Sequence, residues 1–278
     1  MAIQIYFSDF FDVNPEIIED YGAFNISLIN DLPLFIDPFL LFNSTKPKYQ
    51  NLHEQIIKYV KFLKDIATRQ GIREGLLESW FFFPEVKQNW LGYSLVGNGG
   101  RGLGNDFAQS LSRNLYTVFT NFGSEEITQS SHLEKLCLIK EGIGKDSISD
   151  FTTNLIKEFL LHYTQEFATK YISEIYLKKI WIDKVHFNYT LRKWESKQFI
   201  LPYHNDDFVL LTPKDILTKD DNWINRKDVT EEFDQISNSI PNAQLRAQIN
   251  EYFLRSLPPP IMKKGKWKKP TKADKGKA

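Results

Sequence analysis

Residues 151–172 read FTTNLIKEFLLHYTQEFATKYI, the longest helical pattern in the chain. Five large apolar residues recur at helical spacing and form one stripe, which Ile156 and Leu160 widen: Phe151, Leu155, Phe159, Tyr163 and Phe167. Asp150 stands where an N-cap residue belongs, because its side chain can accept a hydrogen bond from an unpaired N–H group of the first turn. We therefore predict a helix that begins at Asp150 and buries this stripe.

Beyond residue 180 the sequence changes to short apolar runs and two-residue alternation. The runs 185–189, 198–201 and 208–211 predict three strands, and the polar connectors between them predict an antiparallel meander. Near the N-terminus, residues 24–29 and 32–37 flank the turn-prone pair Asn30-Asp31 and predict a hairpin. The aromatic run from Trp80 to Phe83 is interpreted as a buried strand.

Further helices are predicted at 51–69, 72–79, 105–122, 229–239 and 241–256. Together with the strands they give an α+β fold, in which a mixed or antiparallel sheet is packed by several amphipathic helices. We expect a single domain over 1–257, although a boundary near 122–130 is an alternative. Pro258-Pro259-Pro260 ends the domain, and residues 258–278 are expected to be a disordered, lysine-rich tail.

The charge of the chain is unevenly distributed. Its 35 basic and 35 acidic residues balance, but residues 263–278 contain eight lysines and one aspartate and therefore carry +7. The remaining 262 residues carry 27 basic and 34 acidic groups, a net charge of −7. The tail is thus the segment predicted to contact nucleic-acid phosphates, the alternative being a solubilising terminus.

Composition also limits the cellular compartment and the classes of protein to which this chain can belong. No run approaches eighteen uninterrupted apolar residues, so no membrane span is expected. The first residues lack the basic start and cleavage site of a signal peptide. A single cysteine, Cys137, excludes an internal disulfide and favours a reducing cytoplasm.

A glycine-rich segment at 97–106 is the first candidate site. Its backbone N–H groups, near Gly99, Gly102 and Gly104, could approach phosphate, and Arg101 would add a charged contact. The spelling G-x-G-x-x-G also allows a dinucleotide site, but no conventional βαβ unit surrounds it. A surface loop without a ligand is the remaining alternative.

Carboxylates provide the second group of candidates. Asp146 and Asp150 could bind Mg²⁺ through oxygen ligands, with Lys157 orienting a hydroxide or phosphate. The alternative is a helix cap, Asp150, among solvated neighbours.

Two Glu-x-Lys strings suggest a nuclease of the PD-(D/E)xK type, in which carboxylates hold Mg²⁺ and the lysine supports the attacking water. Asp37 could join Glu85 and Lys87, or Asp150 could join Glu195 and Lys197. In both cases the separation exceeds forty residues and encloses a predicted helix, whereas a hairpin is usual for this motif.

Several segments resemble an uncharacterised bacterial protein family, which we associate with restriction and anti-phage defence loci. The similarity spans most of residues 20–230, and the segments that carry it are 32–41, 90–94, 99–104, 142–154 and 210–214. Two of these segments, 142–154 and 210–214, are the more distinctive. They favour Asp150 and Lys214 as functional residues, with phosphate contact as the role of Lys214 and an ordinary exposed lysine as the alternative.

The leading hypothesis is a cytoplasmic bacterial nucleic-acid-processing protein, specifically a Mg²⁺-dependent, restriction-like nuclease of a defence system. Nucleic acid would be held by the glycine-rich segment and the tail. The alternative is a non-catalytic recognition or scaffold subunit that works with a protein partner in a defence or mobile-element system. A structure discriminates between them: convergence of Asp37, Glu85 and Lys87, or of Asp150, Glu195 and Lys197, within metal-binding distance favours the nuclease, and convergence of neither set favours the recognition or scaffold subunit.

Overall fold

The computed structural model describes residues 5–29, 31–69, 72, 74–92, 108, 109, 111, 112, 115, 145–219, 261–263 and 266–268. The helices are α1 (Phe7–Phe11), α2 (Pro15–Tyr21), α3 (Pro38–Phe42), α4 (Pro47–Arg69), α5 (Glu74–Phe81), α6 (Lys145–Leu155) and α7 (Lys157–Tyr171). The strands are β1 (Leu34–Ile36), β2 (Leu177–Asn188), β3 (Lys193–His204), β4 (Asp207–Phe208), β5 (Leu217–Lys219), β6 (Ile261–Lys263) and β7 (Lys266–Lys268). The fold is α+β, as predicted, with antiparallel sheets packed by helices.

The C-terminal meander is confirmed. β2, β3 and β4 pair in that order and antiparallel, with Ile182 opposite Lys197 and an irregularity between Ile182 and His186. One side of this sheet packs against α7, where Phe199 and Leu201 are buried. The sequence therefore predicted the order of the strands correctly, but β2 and β3 are longer than predicted and β4 is shorter.

The N-terminal hairpin prediction is wrong. β1 pairs with β5, which places Phe35 opposite Thr218, and residues 24–29 contribute only an isolated bridge, between Ser27 and Tyr6. The physical reason is that the backbone groups of this segment are used elsewhere. The carbonyl of Ile26 accepts a hydrogen bond from the first residue of α1, at 2.9 Å, and Phe24 N–H donates to the carbonyl of Thr212, at 2.9 Å.

The aromatic run 80–83 is also not a strand. Trp80 and Phe81 end helix α5, and Leu77, Trp80 and Phe81 are buried at helical spacing. The indole N–H of Trp80 donates to the carbonyl of Arg192, at 2.8 Å, and so ties the end of α5 to the β2–β3 turn. The prediction that this run is buried is confirmed for Trp80, Phe81 and Phe83, whereas the prediction that it forms a strand is wrong.

The helices predicted at 51–69 and 72–79 correspond to α4 and α5. Of the helix predicted at 105–122, the described residues 108, 109, 111, 112 and 115 are helical. The helices predicted at 229–239 and 241–256 lie outside the described residues. β6 and β7 pair antiparallel within 258–278, where composition predicts disorder. No described helix is long and apolar enough to cross a membrane.

The predicted helix 151–172 is two helices, and its predicted start is wrong. Ile148 is fully buried and extends the apolar stripe N-terminally, so α6 begins at Lys145 and Asp150 lies inside it. At Ile156 the backbone departs from helical geometry, with φ −102° and ψ 12°. Its N–H still bonds to the carbonyl of Thr152, at 3.0 Å, which keeps α6 and α7 joined by a hydrogen bond.

Helix α7 lies between two groups of buried side chains. Leu160 and Leu161 belong to the larger group, with α4, α5 and the meander, while Tyr163 and Phe167 belong to a smaller one formed with α1 and α2. Between these faces, the buried hydroxyl of Thr164 donates to the carbonyl of Leu160 and accepts from Leu211 N–H, at 2.9 Å. This one side chain links the helix to the segment after β4.

We predict that Thr164→Val lowers the free energy of unfolding by about 1–3 kcal/mol, because the buried Leu211 N–H loses its acceptor. Thr152→Val is the matched control: Thr152 is equally buried, but its hydroxyl donates only to a carbonyl of its own helix, that of Ile148. Urea denaturation of both variants measures the difference. Equal losses in the two variants would contradict the linking role of Thr164.

Candidate functional site

Three distant segments meet beside helix α6. Leu32 N–H donates to the carbonyl of Trp90, at 3.1 Å, and Gly92 N–H donates to the carbonyl of Leu32, at 2.9 Å. The hydroxyl of Ser149 accepts from Ile36 N–H, at 2.9 Å, which holds α6 against β1. These hydrogen bonds fix the chain around residue 32, the chain around residue 91 and helix α6 in one arrangement.

A second set of contacts joins α6 to the segment after α5. The side-chain amide of Asn154 is buried and donates to the carbonyl of Pro84, at 2.7 Å. Glu85 follows immediately. The polar side of α6, expected from the sequence to be solvated, is therefore partly buried against this segment.

Four carboxylates lie together at this junction: Asp31, Glu85, Asp146 and Asp150, here named the acidic cluster. Asp146 and Asp150 are one helical turn apart on α6 and so share a face. Asp31 is buried, whereas Asp150 and Glu85 are half-buried. The cluster thus draws its members from the chain before β1, the segment after α5, and α6.

The electrostatics of the cluster favour a protonated carboxyl. Burial raises the pKa of Asp150 to about 8, and the charges of Asp146, Glu85 and Asp31 contribute in that order. Part of Asp146 faces solvent, and the burial of the rest raises its pKa as well. Near neutral pH, Asp150 therefore holds a proton that it can release when a cation or a base approaches.

Gly92 brings the backbone close to these carboxylates. Its φ is +137°, and a Cβ at this position would lie 3.5 Å from Oδ1 of Asp146 and 3.6 Å from Oδ2 of Asp31. A side chain there would be strained by the positive φ, while its Cβ would make ordinary van der Waals contact with the two carboxylates. The glycine-rich segment begins five residues later in the chain.

The first Glu-x-Lys set is divided among different partners. Asp37 caps α3, with Oδ1 accepting from Phe39 N–H at 2.8 Å. Burial raises the pKa of Asp37, opposed by hydrogen bonds from Phe39 and Leu40 N–H. Glu85 lies in the acidic cluster, and Lys87 Nζ is 3.6 Å from Oδ2 of Asp207. The carboxyl group beside Glu85 is thus that of Asp150.

The second Glu-x-Lys set is also divided. Glu195 Oε1 accepts from the amide of Asn188, at 2.8 Å, and Lys197 pairs with Glu158 on α7. Both residues lie on β3, whereas Asp150 belongs to the acidic cluster. The structure therefore joins Asp150 from one predicted set with Glu85 from the other.

The remaining predicted residues have mixed outcomes. Gly99, Arg101, Gly102 and Gly104 lie outside the described residues. Lys214 pairs with Glu19, and its N–H donates to the carbonyl of Gly22, at 2.9 Å.

The structure gives Lys157 a different partner from the hydroxide or phosphate that the sequence suggested. Its Nζ donates to the carbonyl of Asp183 on β2, at 2.7 Å. Burial lowers its pKa to about 8, the charge of Lys184 adds to this effect, and Asp183 opposes it. Lys157 therefore ties α7 to the meander.

Sequence reasoning missed Asp31 and Gly92. Asp31 appeared only as part of a turn-prone pair, and no spacing linked it to α6, 115 residues later. The one signal was that segments 32–41, 90–94 and 142–154 are among the five that carry the family resemblance. These three segments adjoin or contain the residues of the junction.

A family model described as a domain of unknown function, DUF8370, matches residues 12–225. The matched residues include the whole acidic cluster. No curated protein and no solved structure matches the chain.

We predict that Asp150→Asn changes the pH dependence of stability. The pKa of Asp150 rises from 3.8 to about 8 on folding. The folded state therefore holds this proton more tightly, and the stability it contributes is full below about pH 4 and is lost as pH rises through about 8. In the Asp150→Asn variant, this loss of stability with rising pH should be absent.

The measurement is urea denaturation of the wild type and of Asp150→Asn at pH 5, 7 and 9. Asp20→Asn is the control, because Asp20 is exposed on α2. Its stability should follow the wild type across the range. A wild-type decline retained in full by Asp150→Asn would show that the cluster does not hold the proton on Asp150.

Proposed function

The chain belongs to the family described as a domain of unknown function, DUF8370, and we propose from its acidic cluster that it cleaves phosphodiester bonds of nucleic acid. The observation that carries the proposal is the convergence of Asp31, Glu85, Asp146 and Asp150 from three segments, with a proton retained on Asp150. Buried like charges oppose folding, and such arrangements are typical of sites with a chemical role.

The donor chemistry of the cluster suits Mg²⁺, which prefers carboxylate oxygens and usually takes one or two of them, completed by water and substrate phosphates. Among the described residues no three His, Cys, Asp or Glu side chains are placed to hold a metal ion together. Asp146 and Asp150 would hold the ion, which would lower the pKa of a bound water molecule.

The protein's own groups would supply the remaining functions. Asp150, with its pKa near 8, holds a proton at neutral pH and would release it to solvent as Mg²⁺ binds, so that its carboxylate becomes a ligand of the ion. The glycine-rich segment with Arg101, and the lysines from 263 onward, remain the predicted phosphate contacts.

The proposed site differs from a PD-(D/E)xK nuclease in its lysine. Lys87 and Lys197 pair with Asp207 and Glu158, so neither is assigned to the attacking water. We propose a role in a defence locus from the resemblance to an uncharacterised bacterial family associated with such loci, which segments 32–41, 90–94, 99–104, 142–154 and 210–214 carry. Foreign nucleic acid would then be the substrate.

The alternative is a non-catalytic recognition or scaffold subunit of a defence or mobile-element system. The separate partners of the two Glu-x-Lys sets favour it. Under this alternative the acidic cluster would bind a cation or a basic partner without cleavage.

We predict that Asp150→Asn and Asp146→Asn each reduce Mg²⁺-dependent cleavage of plasmid and single-stranded substrates by about 100-fold or more, because each removes a carboxylate ligand of the proposed ion. Asp20→Asn, on exposed α2, should cleave as the wild type does. Circular dichroism confirms that each variant is folded. A folded Asp150→Asn variant with full activity would contradict the catalytic proposal, and a wild type without cleavage would favour the recognition subunit.

The tail provides a separate prediction on nucleic-acid binding. A chain ending at Pro260 loses all eight lysines of the tail, so its affinity for nonspecific DNA should fall. The slope of log affinity against log salt should become shallower by about 0.7–0.9 for each lost phosphate contact. Fluorescence anisotropy over a salt series measures both quantities. An unchanged slope would remove the tail from the proposed interface.

A further inference from the structure

A second site lies on the other side of α7. A cleft of about 800 Å³ runs between α4, the α6–α7 junction and the β2–β3 hairpin. Its volume is within the range of small-molecule sites. We name it the aromatic cleft after four of its lining residues: Tyr59, Phe159, Tyr189 and Trp194.

The aromatic side chains of the cleft are held by contacts with one another and are partly exposed. Tyr59 is buried and donates to the carbonyl of Trp80, at 2.8 Å. Its ring centroid lies 5.2 Å from that of Trp194 and 4.8 Å from that of Phe187. Phe159, Tyr189 and Trp194 are half-buried, so a part of each ring faces the cleft.

One imidazole is oriented into this cleft by ion pairs. His186 Nδ1 lies 2.9 Å from Glu158 Oε2, and Lys197 pairs with the other oxygen of Glu158. Burial raises the pKa of Glu158, but hydrogen bonds from Lys197 and His186 outweigh it and leave the pKa below its usual value. Glu158 therefore accepts, Nδ1 donates, and Nε2 is the ring nitrogen left to meet a ligand.

Polar groups complete the lining. Asn51 and Gln55 are exposed and one helical turn apart on α4, and both line the cleft. Lys58 Nζ lies 4.2 Å from the ring centroid of Tyr189. Because Lys197 balances Glu158, the lining carries little net charge.

We infer that the aromatic cleft binds a nucleobase, packed against its aromatic side chains and read at its edge by Asn51, Gln55 and His186. Single-stranded bases are bound by aromatic stacking and by hydrogen bonds to their edges, and amide side chains suit such edges. The near-neutral lining fits the base itself better than a phosphate. This inference rests on the proposed function, that the chain handles nucleic acid, but concerns binding rather than cleavage.

The test measures binding of AMP, CMP, GMP and UMP, and of a short single-stranded oligonucleotide, by the full chain in buffer with EDTA and without Mg²⁺. Saturation-transfer NMR and calorimetry provide the readout. Phe159→Leu, which removes a ring but keeps an apolar side chain, should weaken binding by at least about fivefold. Gln55→Ala and His186→Ala should weaken it as well, with unchanged thermal midpoints.

Gln50→Ala is the matched control, because Gln50 is an exposed amide of the same helix that does not line this cleft. It should bind as the wild type does. Mononucleotide binding identifies a free nucleotide as sufficient, whereas oligonucleotide binding alone identifies a base within a strand, and either result supports the inference if Phe159→Leu weakens it. Absence of binding to every probe, or equal binding by Phe159→Leu and His186→Ala, overturns it.

The two proposals fail separately. Asp150→Asn should keep nucleobase binding, since Asp150 does not line the cleft. Cleavage without nucleobase binding would overturn the inference and leave the proposed function intact. Nucleobase binding without cleavage would leave the inference intact and overturn the proposed cleavage.

Discussion

Helix α7 must bury two opposite faces, and the rest of the described structure depends on this constraint. Leu160 and Leu161 face the larger core, while Tyr163 and Phe167 face the smaller one. A surface helix buries a single stripe, but α7 also packs against the meander and is hydrogen-bonded to the segment after β4. Between these faces, the hydroxyl of Thr164 donates a hydrogen bond to the carbonyl of Leu160 within the helix and accepts one from the N–H of Leu211 outside it.

The same constraint places both candidate sites. Because α6 continues into α7 through the hydrogen bond at Ile156, the rigid packing of α7 also sets the position of Asp146 and Asp150. On the other side, Glu158 and Phe159 in the first turn of α7 face the aromatic cleft. One helix pair thus supports the acidic cluster and the cleft, which is how a scaffold positions reactive groups precisely enough for chemistry.

Buried charge on this helix pair is handled in two ways. Lys157 is satisfied by a carbonyl on β2 and ties elements together. Asp150 instead has no compensating cation among the described residues that shift its pKa: burial, and after it the charges of three other carboxylates, raise its pKa to about 8. The stability that its proton contributes is therefore lost as the pH rises through about 8.

The sequence by itself determined the fold class, the helices α4 and α5, the apolar stripe of α6–α7 and the order β2–β3–β4, because periodicity and local turns encode these features. It also provided five candidate carboxylates, Asp37, Glu85, Asp146, Asp150 and Glu195, of which the structure brings Glu85, Asp146 and Asp150 near one another. Only the tertiary structure decided that β1 pairs with β5, that Asp150 lies inside a helix, and that Glu85 and Asp31 join it. These outcomes depend on contacts between residues more than fifty positions apart, where burial and competition for backbone hydrogen bonds override local preference.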